Sequence, residues 1–334
     1  MVLLRVEKLK QDHFYIMRKF LLLTTMKPSI LVGGQAVIEG VMMRVPGAYA
    51  TAVRDPNGKI HLQKKAFSSI TETSIFWRRP VFRGMASLYE SMKMGMSTLN
   101  FSADIAMPEE EAQSKLGELF STLFAITLAI SLFLIAPMWL TTQLMNIEKE
   151  ALWFNLVSGL FRIAFFVIYL LLISLLKDVR RLFQYHGAEH RVVYNFESGK
   201  NVNIKNAQSF PTQHPRCGTS FLFIVLLTAI IVFALVDTLV IYFIDTISLP
   251  IRLLFHLPML PFVSGIGYEL IKLSARKDSM IFTVLKKPGL WLQNITTQKP
   301  EDDMVEVSIT ALQEAFGDKY EEMIGKEYTA EAIG

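Results

Sequence analysis

Four long apolar stretches constrain this chain more than anything else in it. Leu119 to Ile147 contains no charged residue, Ala151 to Leu176 contains only Arg162, and Thr219 to Ile244 contains only Asp237. Ile251 to Leu270 is more interrupted, by Arg252, His256, Pro258, Pro261 and Glu269. Each approaches or exceeds the roughly 20 residues that carry a helix across a bilayer. The expected fold class is therefore a mainly α membrane protein with about four transmembrane helices, at 119–144, 152–176, 219–244 and 251–273. The two prolines of the last stretch predict a kink or a half-buried packing partner. With 51% hydrophobic and 19% charged residues, the chain is too apolar for an ordinary soluble protein.

The small net charge of +4 points to no nucleic acid, but the placement of cations is informative. Arg78, Arg79, Arg83 and Lys93 precede the first stretch, and Lys272, Arg276, Lys277, Lys286 and Lys287 follow the last. Between the second and third stretches, the connection 177–218 is also rich in Lys and Arg. The positive-inside rule then places both termini and this connection in the cytoplasm of a multi-pass membrane protein. The single cysteine, Cys217, excludes an intrachain disulfide.

Outside the spans the chain divides into shorter pieces. Residues 1–26 read as an N-terminal arm without the h-region of a signal peptide, and Met26 is a plausible alternative start. Residues 27–70 form an expected cytoplasmic β unit, with Asn57-Gly58 as a hairpin signal between Ala48–Arg54 and Lys59–Gln63. It is too short to build a large core alone and should pack on another part of the protein. Segment 71–115 carries an amphipathic helix, with Phe82, Met85, Leu88, Tyr89, Met92 and Met96 at three- and four-residue steps. The expected transmembrane domain is 116–275. The expected cytoplasmic tail, 276–334, contains a turn at Thr296–Asp303 and then a helix with Val305, Val307, Ile309, Leu312 and Phe316 on one face.

The chemistry-bearing motif is His186-Gly187-Ala188-Glu189-His190, in a chain with only six histidines. Two imidazoles four residues apart share a helix face, and Glu189 lies three residues from His186 on that face. H-x-x-E-H is the zinc-protease pattern reversed. His186 and His190 would hold a divalent metal, with zinc the expected ion, and Glu189 would take a proton from water as general base. A third ligand must come from elsewhere. His214 and Cys217, three apart at the far end of the same connection, are candidates; so is Glu269 at the cytoplasmic end of the fourth stretch. A closed four-ligand set would be structural and a three-ligand set catalytic, and spacing leaves both open.

Two further features carry expectations. Arg162 and Asp237 fall at depths that differ by only roughly 6 Å at 1.5 Å per residue, so a structural ion pair between the second and third spans is expected. Gly33 to Arg44 reads as a β turn segment whose Glu39 and Arg44 either pair or face the metal cleft. It lacks the spacing and Lys-Ser/Thr ending of a phosphate loop, and no organic cofactor is expected.

The stretch Gly33–Arg44 resembles the opening signature of the YqhQ-like family of bacterial polytopic membrane proteins. His186–His190, Cys217-Gly218-Thr219-Ser220, Gly267-Tyr268-Glu269 and Pro288-Gly289-Leu290-Trp291-Leu292-Gln293 resemble its other motifs. The resemblance spans roughly Lys27 to Leu312 and implies a protein of unknown function described as a metal-dependent enzyme. The resulting expectation is a metal-dependent hydrolase at the cytoplasmic membrane face. A membrane scaffold or assembly factor with a structural metal is the alternative, and a transporter the third choice. The expected partners are membrane lipids and, as an option, further copies of the chain.

Overall fold

A computed structural model describes residues 29–108, 115–245, 247–276 and 280–330. The N-terminal arm 1–26 and the acids at 109–111 lie outside the described residues. In chain order the elements are β1 (Ser29–Ile30), β2 (Gly33–Val37), β3 (Gly40–Val45), β4 (Ala48–Arg54) and β5 (Ile60–Ala66). Next come α1 (Ile70–Thr73), α2 (Phe82–Ala106), α3 (Lys115–Ile130), a π-helical turn (Ser131–Ile135), α4 (Ala136–Leu144) and α5 (Ala151–Ile173). Then follow α6 (Lys177–Glu197), α7 (Ile204–Gln208), α8 (Gly218–Ile244), α9 (Leu249–Arg276), α10 (Met280–Thr296) and α11 (Asp302–Phe316). The short α12 (Tyr320–Met323) leads to β6 (Thr329–Ala330), which pairs in parallel with β1.

Four helical segments are long and apolar enough to cross a membrane: Leu119–Leu144, Ala151–Ile173, Gly218–Ile244 and Leu249–Ser274. This is the membrane protein that the apolar stretches predict. The fourth segment runs as one helix through Pro258 and Pro261. Helix α8 is the hub, packed against α5, α9 and α10.

The expected pair between Arg162 and Asp237 is corrected. Asp237 is fully buried and takes Arg252 of α9 as its ion-pair partner. It also accepts from Asn155 Nδ2 of α5 at 2.6 Å and meets His256 Nε2 at 2.8 Å. Arg162 instead donates from Nε to the Phe133 carbonyl at 2.8 Å. Pro137 explains why that carbonyl is available: lacking an N–H, it cannot bond the carbonyl four residues earlier. The π-helical turn ends where this proline begins α4. The rotation of the helices about their axes instead turns Arg162 toward the first span.

Strands β2 to β5 form an antiparallel meander. At the β4–β5 turn the Asp55 carboxylate accepts the N–H groups of Asn57 and Lys59, both at 2.9 Å, and Gly58 takes the positive φ of 85°. Helix α11 covers one face of the sheet, and α2 covers the other. Met43, Val45, Ala50 and Ala52 meet Val305, Leu312 and the α6 residues Val192 and Phe196 in one core. Met42 and Tyr49 meet Met94 on the opposite side. The β unit thus obtains its core from the end of the chain and from the histidine helix. The expected tail also holds an additional membrane-side helix, α10, with Gly289 packed directly against Ser220 of α8.

Candidate metal centre

Helix α6 carries the histidine motif. The chain breaks from helix at Leu176, which adopts an extended conformation as the N-cap, and restarts with Asp178 in the first turn. The motif therefore sits on a helix of its own rather than on an extension of the second span. Tyr185, Ala188, Val192 and Val193 bury one side of α6 against the core. His186 and His190 project one turn apart, with ring centroids 4.5 Å from each other.

Each imidazole is oriented by a backbone carbonyl. His186 Nδ1 donates to Thr296 O at 2.8 Å, and His190 Nδ1 donates to Thr212 O. With Nδ1 so engaged, Nε2 is the atom each ring presents to a metal. His186 Nε2 lies 3.2 Å from Cys217 Sγ. One ligand atom from each of His186, His190 and Cys217 falls within 4.8 Å of the others. Ligand atoms on a tetrahedral zinc stand roughly 3.5 Å apart given bond lengths of 2.0–2.3 Å. The donor set, the spacing and the carbonyl-fixed rings all suit such an ion after a small contraction.

Burial alone would lower the His186 pKa, but the facing Cys217 sulfur outweighs it and raises the imidazole to about 9. Burial alone would raise the Cys217 thiol, yet His186 and then His190 bring it well below its ordinary value. Both shifts favour a thiolate–imidazolium pair when no metal is bound. A bound metal would take the place of the imidazolium proton as the positive partner.

Glu189 is buried, with Oε2 3.4 Å from His190 Nε2. Strand β2 passes directly over it: a Cβ at Gly34 would lie 2.9 Å from Glu189 Cγ. The opposite side of α6 is equally close to its neighbour. A Cβ at Gly187 would sit 2.0 Å from the Gln298 carbonyl. Gln298 N–H also donates to Phe183 O at 2.9 Å, which holds the end of α10 across α6 and aims Thr296 O at His186.

The other candidates take different places. His214 is not among the metal-capable group: its Nδ1 accepts from Arg216 N–H at 3.3 Å, and its Nε2 faces Glu197 at 3.8 Å. Burial lowers the His214 pKa, with Glu197 opposing. As a ligand, Glu269 is also corrected, because Arg83 grips both its oxygens and Val81 N–H donates to it at 3.3 Å. Glu39 neither pairs with Arg44 nor faces the cleft. It accepts Arg181 through both oxygens and Tyr185 Oη at 3.2 Å, which ties the β2–β3 turn to α6. Arg44 does face the cleft, with its guanidinium 4.2 Å from the Phe67 ring centre.

That cleft is a cavity of about 610 Å³ between β2, α2, α6 and the beginning of α8. His186, Glu189, His190 and Cys217 line it together. Sequence reasoning did not single out Gln293 or Glu197. Gln293 is fully buried and clamps the ligand-bearing loop: it accepts from His214 N–H at 2.6 Å and donates to His214 O at 2.9 Å. Glu197 pairs with Arg216 and faces His214. The Pro288–Gln293 motif was the one signal pointing to Gln293; nothing in the spacing marks Glu197.

The family model described as "Protein of unknown function (DUF1385)" matches residues 79–318, more than half of the chain. The chain belongs to this family. It is also 30% identical over 300 residues to the "Uncharacterized protein YqhQ" of Bacillus subtilis (strain 168), covering 84% of this chain and 91% of that protein. No solved structure matches. The family match contains His186, Glu189, His190, Cys217 and Gln293, while Gly34 and Arg44 of the cavity wall precede it.

Proposed function

We propose that the protein is a metal-dependent hydrolase at the cytoplasmic face of the bacterial plasma membrane. The observation that carries this reading is the gathering of His186, His190 and Cys217 on one cavity wall with Glu189 beside them. A three-ligand set leaves a coordination position open, the pattern of catalytic rather than structural zinc. His214, which would have closed the set, is turned to Glu197 instead. This favours a hydrolase over the scaffold with a structural metal. The basic segments around α2, α6 and α10 support the cytoplasmic placement.

A bound divalent cation supplies Lewis acidity at its open position and makes water there easier to deprotonate. The remaining roles belong to the chain. Glu189 accepts a proton from the attacking water and delivers it to the leaving group. Thr296 and Thr212 hold the imidazoles, while Gly34 and the surrounding apolar wall keep bulk water from the carboxylate.

Metal analysis of protein purified without added chelator tests this directly: roughly one zinc-type ion per chain is expected, falling to background in His186→Ala. Glu189→Gln should retain the ion and lose about 10²–10⁴-fold of activity on the best ester, amide or phosphoester of a chromogenic panel. A metal-free wild type overturns the reading, as does a Glu189→Gln protein with full activity.

A further inference from the structure

The cavity beside the candidate metal centre has a second chemical character. Arg44 lines it, and no hydrogen bond or ion pair to this guanidinium is present among the described residues; it rests on the Phe67 ring. Burial lowers its pKa, so a charge is held in a poorly solvated place without a carboxylate in contact. Glu90 and Glu72 act on it only at longer range. The one carboxylate that lines the cavity, Glu189, lies against His190. An anion is the ligand that such a guanidinium calls for.

The rest of the wall is apolar. Met42, Leu88, Met94, Leu182, Phe221 and Leu222 contribute to it. Phe221 and Leu222 belong to the first turn and a half of α8, where the third membrane-crossing segment begins. On α2, outside the cavity, Tyr89, Met92, Met96 and Leu99 remain exposed at 40–67%. Helix α2 is pinned to α9 by a close crossing, since a Cβ at Gly84 would lie 2.9 Å from Gly265 Cα. An exposed apolar helix face fixed beside a membrane span is suited to lie in the bilayer interface. With α2 in the interface, the cavity would lie at the level of lipid headgroups, its wall holding the Arg44 guanidinium and the apolar side chains at the start of α8.

We infer that this cavity binds an anionic membrane lipid, with its phosphate or carboxylate on Arg44 and its acyl portion along Leu88, Phe221 and Leu222. As the substrate site of the centre, the assignment rests on the hydrolase reading and names its substrate class. Continuity with the spans favours a lipid over a free anion, because a soluble phosphate would leave the apolar wall unused.

Binding can be measured by thermophoresis on the full chain in neutral detergent, with short-chain phosphatidic acid, the matching phosphatidylcholine and inorganic phosphate as probes. Phosphatidic acid should bind at least about tenfold tighter than either of the others, and Arg44→Gln should remove about tenfold of that affinity. Ser91→Trp, at an exposed position on the cavity rim, should also weaken it without disturbing the fold. Equal affinity for phosphatidylcholine overturns the anionic assignment, and equal affinity for inorganic phosphate overturns the lipid. Unchanged phosphatidic acid binding in both Arg44→Gln and Ser91→Trp overturns the location. Absence of metal with intact lipid selectivity counts against the hydrolase alone.

Discussion

Cys217 and His186, 3.2 Å apart, shift each other's proton affinity against the effect that burial alone would have on each. The thiol is shifted well below its ordinary value and the imidazole is raised to about 9. These directions favour a charged pair in the metal-free protein at neutral pH; acid protonates the sulfur, and base above about 9 removes the imidazole proton. As Cys217 is the only cysteine, the thiolate ultraviolet absorbance of stripped protein reports on it alone. That absorbance should be present at neutral pH and vanish only on acidification. In His186→Ala, burial acts on the thiol with less opposition, so the absorbance should appear only toward alkaline pH. A wild-type protein without thiolate absorbance at neutral pH would show that the two side chains do not meet. Much of this site was legible beforehand: helical spacing alone puts His186, Glu189 and His190 on one face. Which further side chain joins them was not, because choosing among Cys217, His214 and Glu269 requires knowing which side chains other residues already engage.

Among the elements, α6 stands between two close neighbours, β2 over Glu189 and the end of α10 over Gly187. Both approaches depend on glycine. Gly187→Ala places a methyl group 2.0 Å from the Gln298 carbonyl, and backbone on both sides resists relief. Overpacking of this kind costs about 1–3 kcal/mol. Since the same contact carries Thr296 O to His186, the variant should lose thermal stability and metal together. Thermal unfolding followed alongside metal content checks this, and a Gly187→Ala protein with normal melting and full metal would show that the contact positions nothing. The β hairpin at Asp55–Gly58, the amphipathic α2 and the start of α11 were all readable from local pattern. The burial of β3 and β4 on both faces was not, since it depends on α11 returning from the far end of the chain.

Across the whole molecule, the membrane helices are held by a buried polar centre rather than by apolar contact alone. Asp237 joins Asn155 of α5 to Arg252 and His256 of α9. Removing one partner of a buried ion pair typically costs about 3–5 kcal/mol, because the other charge is left uncompensated. Asp237→Ala should therefore destabilise the protein strongly in detergent unfolding, whereas Asp237→Leu combined with Arg252→Met should recover most of the loss. Arg162→Met should cost less, since what the structure gives Arg162 is a carbonyl hydrogen bond and the Phe233 ring face. Equal losses for Asp237→Ala and Arg162→Met would contradict the pairing seen here.

The sequence by itself determined the four membrane-crossing segments, because hydropathy is a local property summed over about 20 neighbouring residues. It determined the two-histidine face of α6 for the same reason, helical spacing being local as well. Only the tertiary structure decided which distant groups meet: Cys217 rather than His214 beside His186 and His190, Arg252 rather than Arg162 at Asp237, Arg181 rather than Arg44 at Glu39. Each of those choices turns on how helices rotate about their axes and on which carbonyls and carboxylates are already taken. Packing across the whole chain sets both.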